Sequence, residues 1–260
     1  MDESNTLLDI NENLKLFQYK NGLNFGTDAY LLAAFTALTH RHPESSSKKA
    51  VELGSGTGII SLLCAAKKRF AKIYSVEIQP VYFDIIAKNT EINNLKQTVI
   101  PVCADIRDLD PAKISGEADF CISNPPYMTC NSGKRNLHDE KYIARHEVYG
   151  DIRDFCACAS RLLKYKGKFC TVYRPDRLCD LFCALREYKL EPKRQIFVYA
   201  YPSAEPSMVL TEAVKGASPG LKLYRGLYLS DNREDCINNI LSHDAQKIYE
   251  SCSFADFVRN

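Results

Sequence analysis

From about residue 50 the chain alternates short β-rich runs with helical ones, and that alternation limits the fold more than any other feature. "KKAVELG" is an apolar run ended by glycine, and "IISLLCAAKKRF" after it has helical spacing. "KIYSVEI" is followed by Pro80 and the helical "VYFDIIAKNTEINN". "QTVIPVC" and "ADFCIS" read as the third and fourth strands, and "DIRDFCACASRLLKYKG" as a helix closed by Gly167. "KFCTVY" then precedes the helix "PDRLCDLFCALREY", with proline at its start. Strands separated by helices must run parallel, with right-handed crossovers covering both faces of the sheet. "RQIFVYAY" and "SMVLTEAVKG" have no helix between them, which implies one antiparallel strand at the end of the sheet. The expectation is an α/β fold with a doubly wound, mostly parallel seven-stranded sheet containing one antiparallel strand.

Residues 1–49 read as an N-terminal β-hairpin, "LKLFQYKNGLNF" with a turn at Asn21-Gly22, leading into the helix "DAYLLAAFTAL". Residues 50–217 form the core, and 218–260 extend the same domain with a short strand and a helix. No internal repeat or long linker divides the chain. The N-terminus is acidic and polar, without the pattern of a signal peptide, and the longest apolar runs are too short to span a bilayer. The eleven cysteines are scattered, and most sit inside apolar runs. They read as reduced core thiols of a cytoplasmic protein, not as metal ligands.

The turn "VELGSGTG" places Gly54, Gly56 and Gly58 between the first core strand and its helix, where backbone can approach a ligand at a positive helix end. Glu52 sits two residues before Gly54. A pyrophosphate disfavours a carboxylate at that position, whereas an ammonium or a sulfonium favours it. Glu77 follows Gly58 by 19 residues at the end of the second strand, near the spacing at which an acid binds ribose hydroxyls in doubly wound folds. Asp105 ends the third strand and can accept from an adenine amino group. Taken singly, the glycines also suit a tight structural turn, and each acid suits a solvated loop. Together on one sheet edge they imply a ligand with an adenosine and a cationic amino-acid arm, which describes S-adenosylmethionine.

On these residues the chain resembles the class I S-adenosylmethionine-dependent methyltransferases, a Rossmann-like fold, over roughly residues 50–215. The resemblance implies that Gly54, Ser55, Gly56 and Gly58 flank the methionine arm, with Glu52 at its amino group. It places Glu77 with Ile78 at the ribose, and Asp105 with Ile106 at the adenine. "NFGTDA" (24–29) resembles the segment that precedes the core in amino-methylating members, making Thr27 and Asp28 candidates at the methionine end. Capping of the helix "DAYLLAAF" is the other reading of those two residues.

"NPPY", Asn124 to Tyr127, ends the fourth strand and resembles the signature of methyltransferases acting on planar NH₂ groups. Such a nitrogen is a poor nucleophile because its lone pair is delocalised. Two acceptors, the Asn124 side-chain oxygen and the Pro125 carbonyl, suit its two N–H bonds, and Pro126 helps fix that carbonyl in advance. Tyr127 suits stacking on a flat target, and Asn124 also borders the cofactor. Adenine N6, cytosine N4 and a glutamine amide all meet this description.

RNA is favoured by charge. Residues 128–177 hold eleven Lys/Arg against six Asp/Glu, a local +5 in a chain of net +2. Lys134, Arg135, Arg145 and His146 are the candidates there, the last two being equally suited to a salt bridge with Glu147. Together with "ARHE" and "TEAVKGASPGLKLYRGLYL", these segments resemble the valine-tRNA (adenine-N6)-methyltransferase family over about residues 7–230. That implies tRNA as partner, at the adenosine of position 37 in the anticodon stem-loop, with no metal and no membrane. A release-factor-type glutamine-amide methyltransferase and a non-catalytic adenosine-binding module are the alternatives.

Overall fold

The computed structural model describes residues 5–11, 14–19, 26–38, 47–126 and 150–259. The chain begins with a hairpin of β1 (Asn5–Asn11) and β2 (Leu14–Tyr19), followed by α1 (Thr27–Thr36). β3 (Lys49–Leu53), α2 (Ile59–Ala66), β4 (Lys72–Glu77), α3 (Pro80–Ile92), β5 (Val99–Cys103) and β6 (Ala118–Ser123) follow. Next come α4 (Ile152–Leu162), β7 (Leu163–Tyr173), α5 (Leu178–Glu187), β8 (Leu190–Tyr199) and β9 (Pro206–Lys215). The chain closes with the two-residue strands β10 (Lys222–Leu223) and β11 (Leu227–Tyr228), then α6 (Arg233–Ile237) and α7 (His243–Ser251).

The sheet order is β10-β8-β9-β7-β6-β3-β4-β5, with β11 also on β8. β9 runs antiparallel to both β7 and β8, and the other pairings are parallel. The antiparallel strand is thus inserted between two others and does not end the sheet as expected. The seven expected strands are present, and β10 and β11 bring the count to nine. The order reverses between β3 and β6, so the glycine turn and the tip of β6 lie side by side at the crevice where such sheets bind ligands.

Strand parity decides what each site residue faces. Ala50, Ile73, Phe120 and Ile122 pack with α1, α2 and α7, whereas Val51, Leu53, Val76 and Cys121 pack with α4 and α5. Glu52, two residues from Ala50, therefore faces α2, and Asn124, two residues from Ile122, faces α1.

Three further expectations are corrected. "LKLFQY" is the second strand of the hairpin and pairs with Asn5–Asn11, Leu8 opposite Leu16. The expected turn at Asn21-Gly22 lies outside the described residues. The helix through "RLLKYKG" stops at Leu162, not at Gly167. Leu163 already pairs with Ala118 and Lys168 with Phe120, so Lys164–Gly167 bulge outward. Lys166 takes φ 64 there, a conformation incompatible with a continuing helix. The C-terminal segment adds two helices, not one.

Both flanking segments are tied to the core by polar side chains. Asn89 on α3 and Asn93 at its C-cap, one turn apart, hold β2 as a neighbouring strand would. Phe17 N donates to Asn89 Oδ1 at 2.6 Å, and Asn89 Nδ2 donates to Phe17 O at 3.0 Å. Lys15 pairs likewise with Asn93 at 2.8 and 2.7 Å. A helix advances about 6 Å in four residues and a strand about 6.7 Å in two, which lets the two ladders match. At the other end, buried Arg69 donates to Ala33 O, to Thr36 Oγ1 at 3.0 Å and to Cys252 O, joining α1, α2 and the residues after α7.

The ten described cysteines are unpaired, six of them buried. Burial pushes the Cys64 thiol up to about 11 and that of Cys158 to about 12, so neither supplies a thiolate near neutrality. Among the described residues, no helix is long and apolar enough to cross a membrane, and no group of three His, Cys, Asp or Glu is placed to hold a metal ion.

Candidate functional site

The glycine turn is built from the strand tips outward. Gly54, Gly56 and Gly58 have φ of 69°, 53° and 80°. A Cβ on Gly58 would lie 3.2 Å from Ile86, and one on Gly54 would lie 3.3 Å from Phe155, so strain and crowding both select glycine there. Buried Ser55 pins the turn to β4: its N–H donates to Val76 O at 2.9 Å. Asn89 Nδ2 also donates to Thr57 O at 3.0 Å, linking the turn to the N-terminal hairpin.

The two acids of this half hold backbone. Glu52 Oε2 accepts from Ser61 N at 2.9 Å and from Ser61 Oγ, capping the first turn of α2 across the strand. Gly58, at the end of that helix, has no side chain to do so. Burial pushes the Glu52 carboxyl up to about 7 against the opposing pull of the Ser61 bonds, with Glu77 adding to the rise. Glu77 Oε2 accepts from Gly56 N at 2.9 Å, and its Oε1 accepts from Gln79 N at 3.0 Å. Burial raises its pKa, opposed by those backbone bonds. A carboxylate accepts about four hydrogen bonds, so a ribose contact at Glu77 has to share the carboxylate with these donors. Ile78 follows it, half-buried.

Asp105 is engaged locally. Arg107 donates to it from N at 2.9 Å and from Nε at 3.0 and 2.9 Å. The guanidinium holds the Asp105 carboxyl below the usual carboxylate range. An adenine contact at Asp105 therefore has to share the carboxylate with Arg107 or open the pair. The loop itself is fixed by Arg161, which donates to Leu109 O at 2.9 Å and to Ile106 O at 2.6 Å. Ile106 is buried beneath that loop. Arg161 reads in the sequence only as a basic residue near a helix end.

The tip of β6 differs. Ser123 Oγ donates to Leu53 O at 2.9 Å, clamping the tips of β6 and β3 together. Asn124 Nδ2 donates to Asp28 Oδ2 at 2.9 Å, but its Oδ1 is buried and, among the described residues, accepts from nothing. An unmatched buried acceptor costs about 1–3 kcal/mol. Pro125 is buried behind it and Pro126 half-buried. Tyr127 and the basic candidates Lys134, Arg135, Arg145 and His146 lie outside the described residues.

Thr27 and Asp28 open α1. Asp28 Oδ1 accepts from Ala29 N at 2.8 Å. The Thr27 hydroxyl bonds the Tyr249 phenol, and Tyr30 OH donates to Tyr249 O at 2.5 Å with the two rings stacked 4.7 Å apart. The C-terminal helix α7 thus fixes the end of α1 that meets Asn124, a role that the sequence of residues 231–260 does not announce.

A cleft of about 680 Å³ opens at the opposite, amino-terminal ends of the strands, lined by Lys49, Lys72, Tyr74, Asp119 and Lys164 among others. Its Lys49 Nζ is engaged by the carbonyls of Ile114, Ser115 and Gly116, and Asp119 by Lys49 N and Lys164. The chemistry-bearing residues lie at the carboxyl ends instead.

Residues 42–160, which include every strand tip described above, match the TRM5/TYW2 methyltransferase domain. A tRNA1(Val) (adenine(37)-N6)-methyltransferase of Bacteroides fragilis is 30% identical over 196 residues, covering 74% of this chain and 77% of its own. Its counterpart from Porphyromonas gingivalis is 28% identical over 196 residues, covering 73% and 74%. The crystal structure of a predicted O-methyltransferase, Atu636 of Agrobacterium tumefaciens, superposes with a TM-score of 0.61. It covers 84% of this chain and 98% of its own at 16% identity, a likeness of fold.

Proposed function

Because the chain belongs to the tRNA1(Val) (adenine(37)-N6)-methyltransferase family, we propose that it methylates N6 of an adenosine in tRNA, the residue at position 37 beside the anticodon. The observation that carries this reading is the buried Oδ1 of Asn124 at the tip of β6, which has no partner among the described residues. An acceptor held without a donor inside the protein suits a ligand that brings one. An exocyclic amine brings two, and the Pro125 carbonyl beside Asn124 takes the second.

S-adenosylmethionine fits the donor side, where it supplies an electrophilic methyl group on a sulfonium. Glu77, at the carboxyl end of β4 beside the glycine turn, suits its ribose hydroxyls, which share the carboxylate with Gly56 and Gln79. The positive-φ glycines let backbone lie close to its methionine arm. Glu52 acts as the anchor of the turn through Ser61. Asn124 and Pro125 hold both N–H bonds of the adenine amine, which favours a pyramidal nitrogen whose lone pair is free to attack. Positive charge grows on that nitrogen during transfer, and both acceptors are already aimed at it. The proton leaves afterwards to solvent, so no histidine base is required. Tyr127 stacks on the base, and Lys134, Arg135, Arg145 and His146 meet phosphates beside the site.

The test is methyl transfer from labelled S-adenosylmethionine to total tRNA, purified release factor and duplex DNA in parallel. N6-methyladenosine in digested tRNA is the expected product. Label confined to the release factor would replace adenine by a glutamine amide.

A further inference from the structure

We propose that Asp28 is a positioning residue that sets which end of the Asn124 amide faces the acceptor nitrogen. The inference rests on the reading of Asn124 above and adds a residue that acts only through it. An asparagine amide is nearly symmetric in shape, yet only its oxygen accepts an N–H bond; rotated by half a turn it presents NH₂ and repels an amine. Something has to hold it one way. Strand parity turns Asn124 toward α1, and there Asp28 Oδ2 takes the Asn124 Nδ2 hydrogen at 2.9 Å. A carboxylate only accepts, so this contact fixes the nitrogen on Asp28 and leaves Oδ1 at the other side of the amide, buried and without a partner among the described residues.

The helix start is shaped for this purpose. Asp28 divides its two oxygens: Oδ1 accepts from Ala29 N at 2.8 Å and Oδ2 from Asn124. Gly26 leaves the room, since a Cβ there would come within 2.6 Å of Asp28 Oδ1. The Gly-Thr-Asp run is thereby explained by geometry: glycine makes space, and aspartate reaches across 96 residues of sequence to Asn124. A hydrogen-bonded chain from carboxylate through amide to the target amine also polarises the Asn124 oxygen.

The division of oxygens gives a test that plain helix capping does not share. An amide in place of the Asp28 carboxylate has one oxygen, which the donor end of α1 retains. The NH₂ of that amide then faces Asn124 and rotates it. Asp28→Asn, though isosteric, should lower single-turnover kcat on tRNA about 100-fold with KM and S-adenosylmethionine affinity within about threefold. The swapped double variant Asp28→Asn/Asn124→Asp restores the pattern. The introduced amide donates to one oxygen of the introduced carboxylate, whose other oxygen accepts the amine. The double variant should regain at least about tenfold over Asp28→Asn. Asp28→Asn with unchanged kcat, or a double variant no faster than Asp28→Asn, overturns the positioning role. Absence of methyl transfer to tRNA by the unaltered protein would instead remove the functional reading beneath it.

Discussion

Glu52 and Asn124 stand at the tips of neighbouring strands, and their polar atoms are treated in opposite ways. The carboxylate of Glu52 is buried and spent on the protein itself, capping α2 through Ser61. Glu77 is spent likewise on Gly56 and Gln79. Asn124 is held from one side by Asp28, and its oxygen is left without a partner among the described residues. The donor half of the proposed site is thus a scaffold whose acids already hold backbone, and a ribose at Glu77 shares that carboxylate. On the proposed reading, the acceptor half carries a hydrogen bond unmet among the described residues, which the ligand meets. Substitutions in the first half should move cofactor affinity and stability; substitutions in the second should move the chemical step.

The largest effect in the donor half is expected at Glu77. Glu77→Ala removes the acceptor for Gly56 N and for the ribose together, and should weaken S-adenosylmethionine binding about 100-fold by calorimetry. Saturating cofactor should restore most of the transfer rate. A rate that stays low at saturation would place Glu77 in the chemical step and blur the division.

Glu52 tests the scaffold by pH. Its folded pKa of about 7 lies above the unfolded value, so its ionisation costs stability as pH rises. The burden is absent below the unfolded pKa of about 4.5, grows between the two values and is complete above about 7. Glu52→Gln should therefore be more stable than the parent at pH 8, by on the order of 2 kcal/mol, with the gap closing toward pH 5. Urea unfolding at several pH values measures it, and a gap that widens toward acid would reverse the sign.

The smallest effect is expected far from both halves. Asn93→Ala loses two bonds to Lys15 on the exposed side of the hairpin, and should cost about 1 kcal/mol in stability. Methyl transfer should stay within about twofold of the parent. A larger loss would mean that the hairpin shapes the site through Asn89 and the Thr57 carbonyl.

Sequence periodicity made the core legible, because each β-rich run from Val51 onward must be buried on both faces and each helix must cover one of them. The flanks were less so. The Asn-Gly pair at 21–22 is a strong turn signal, and it drew the hairpin toward residues after "LKLFQY", whereas the partner strand precedes it. "RLLKYKG" keeps an apolar-basic spacing past Leu162, which conceals the bulge at Lys164–Gly167. Glycine, Glu52 and Glu77 were visible as residue types at a spacing, but that both acids hold backbone was not. The Asp28–Asn124 contact spans 96 residues and depends on strand parity and helix placement together, which no local window contains.

The most direct measurement is a comparison of Asn124→Ala with the parent in single-turnover methyl transfer to tRNA, alongside S-adenosylmethionine titration of both proteins. The predicted result is a transfer rate lower by about 1,000-fold with cofactor affinity within about threefold. Equal losses in rate and affinity, or a rate that survives, would contradict the assignment of the unpartnered oxygen to the acceptor amine.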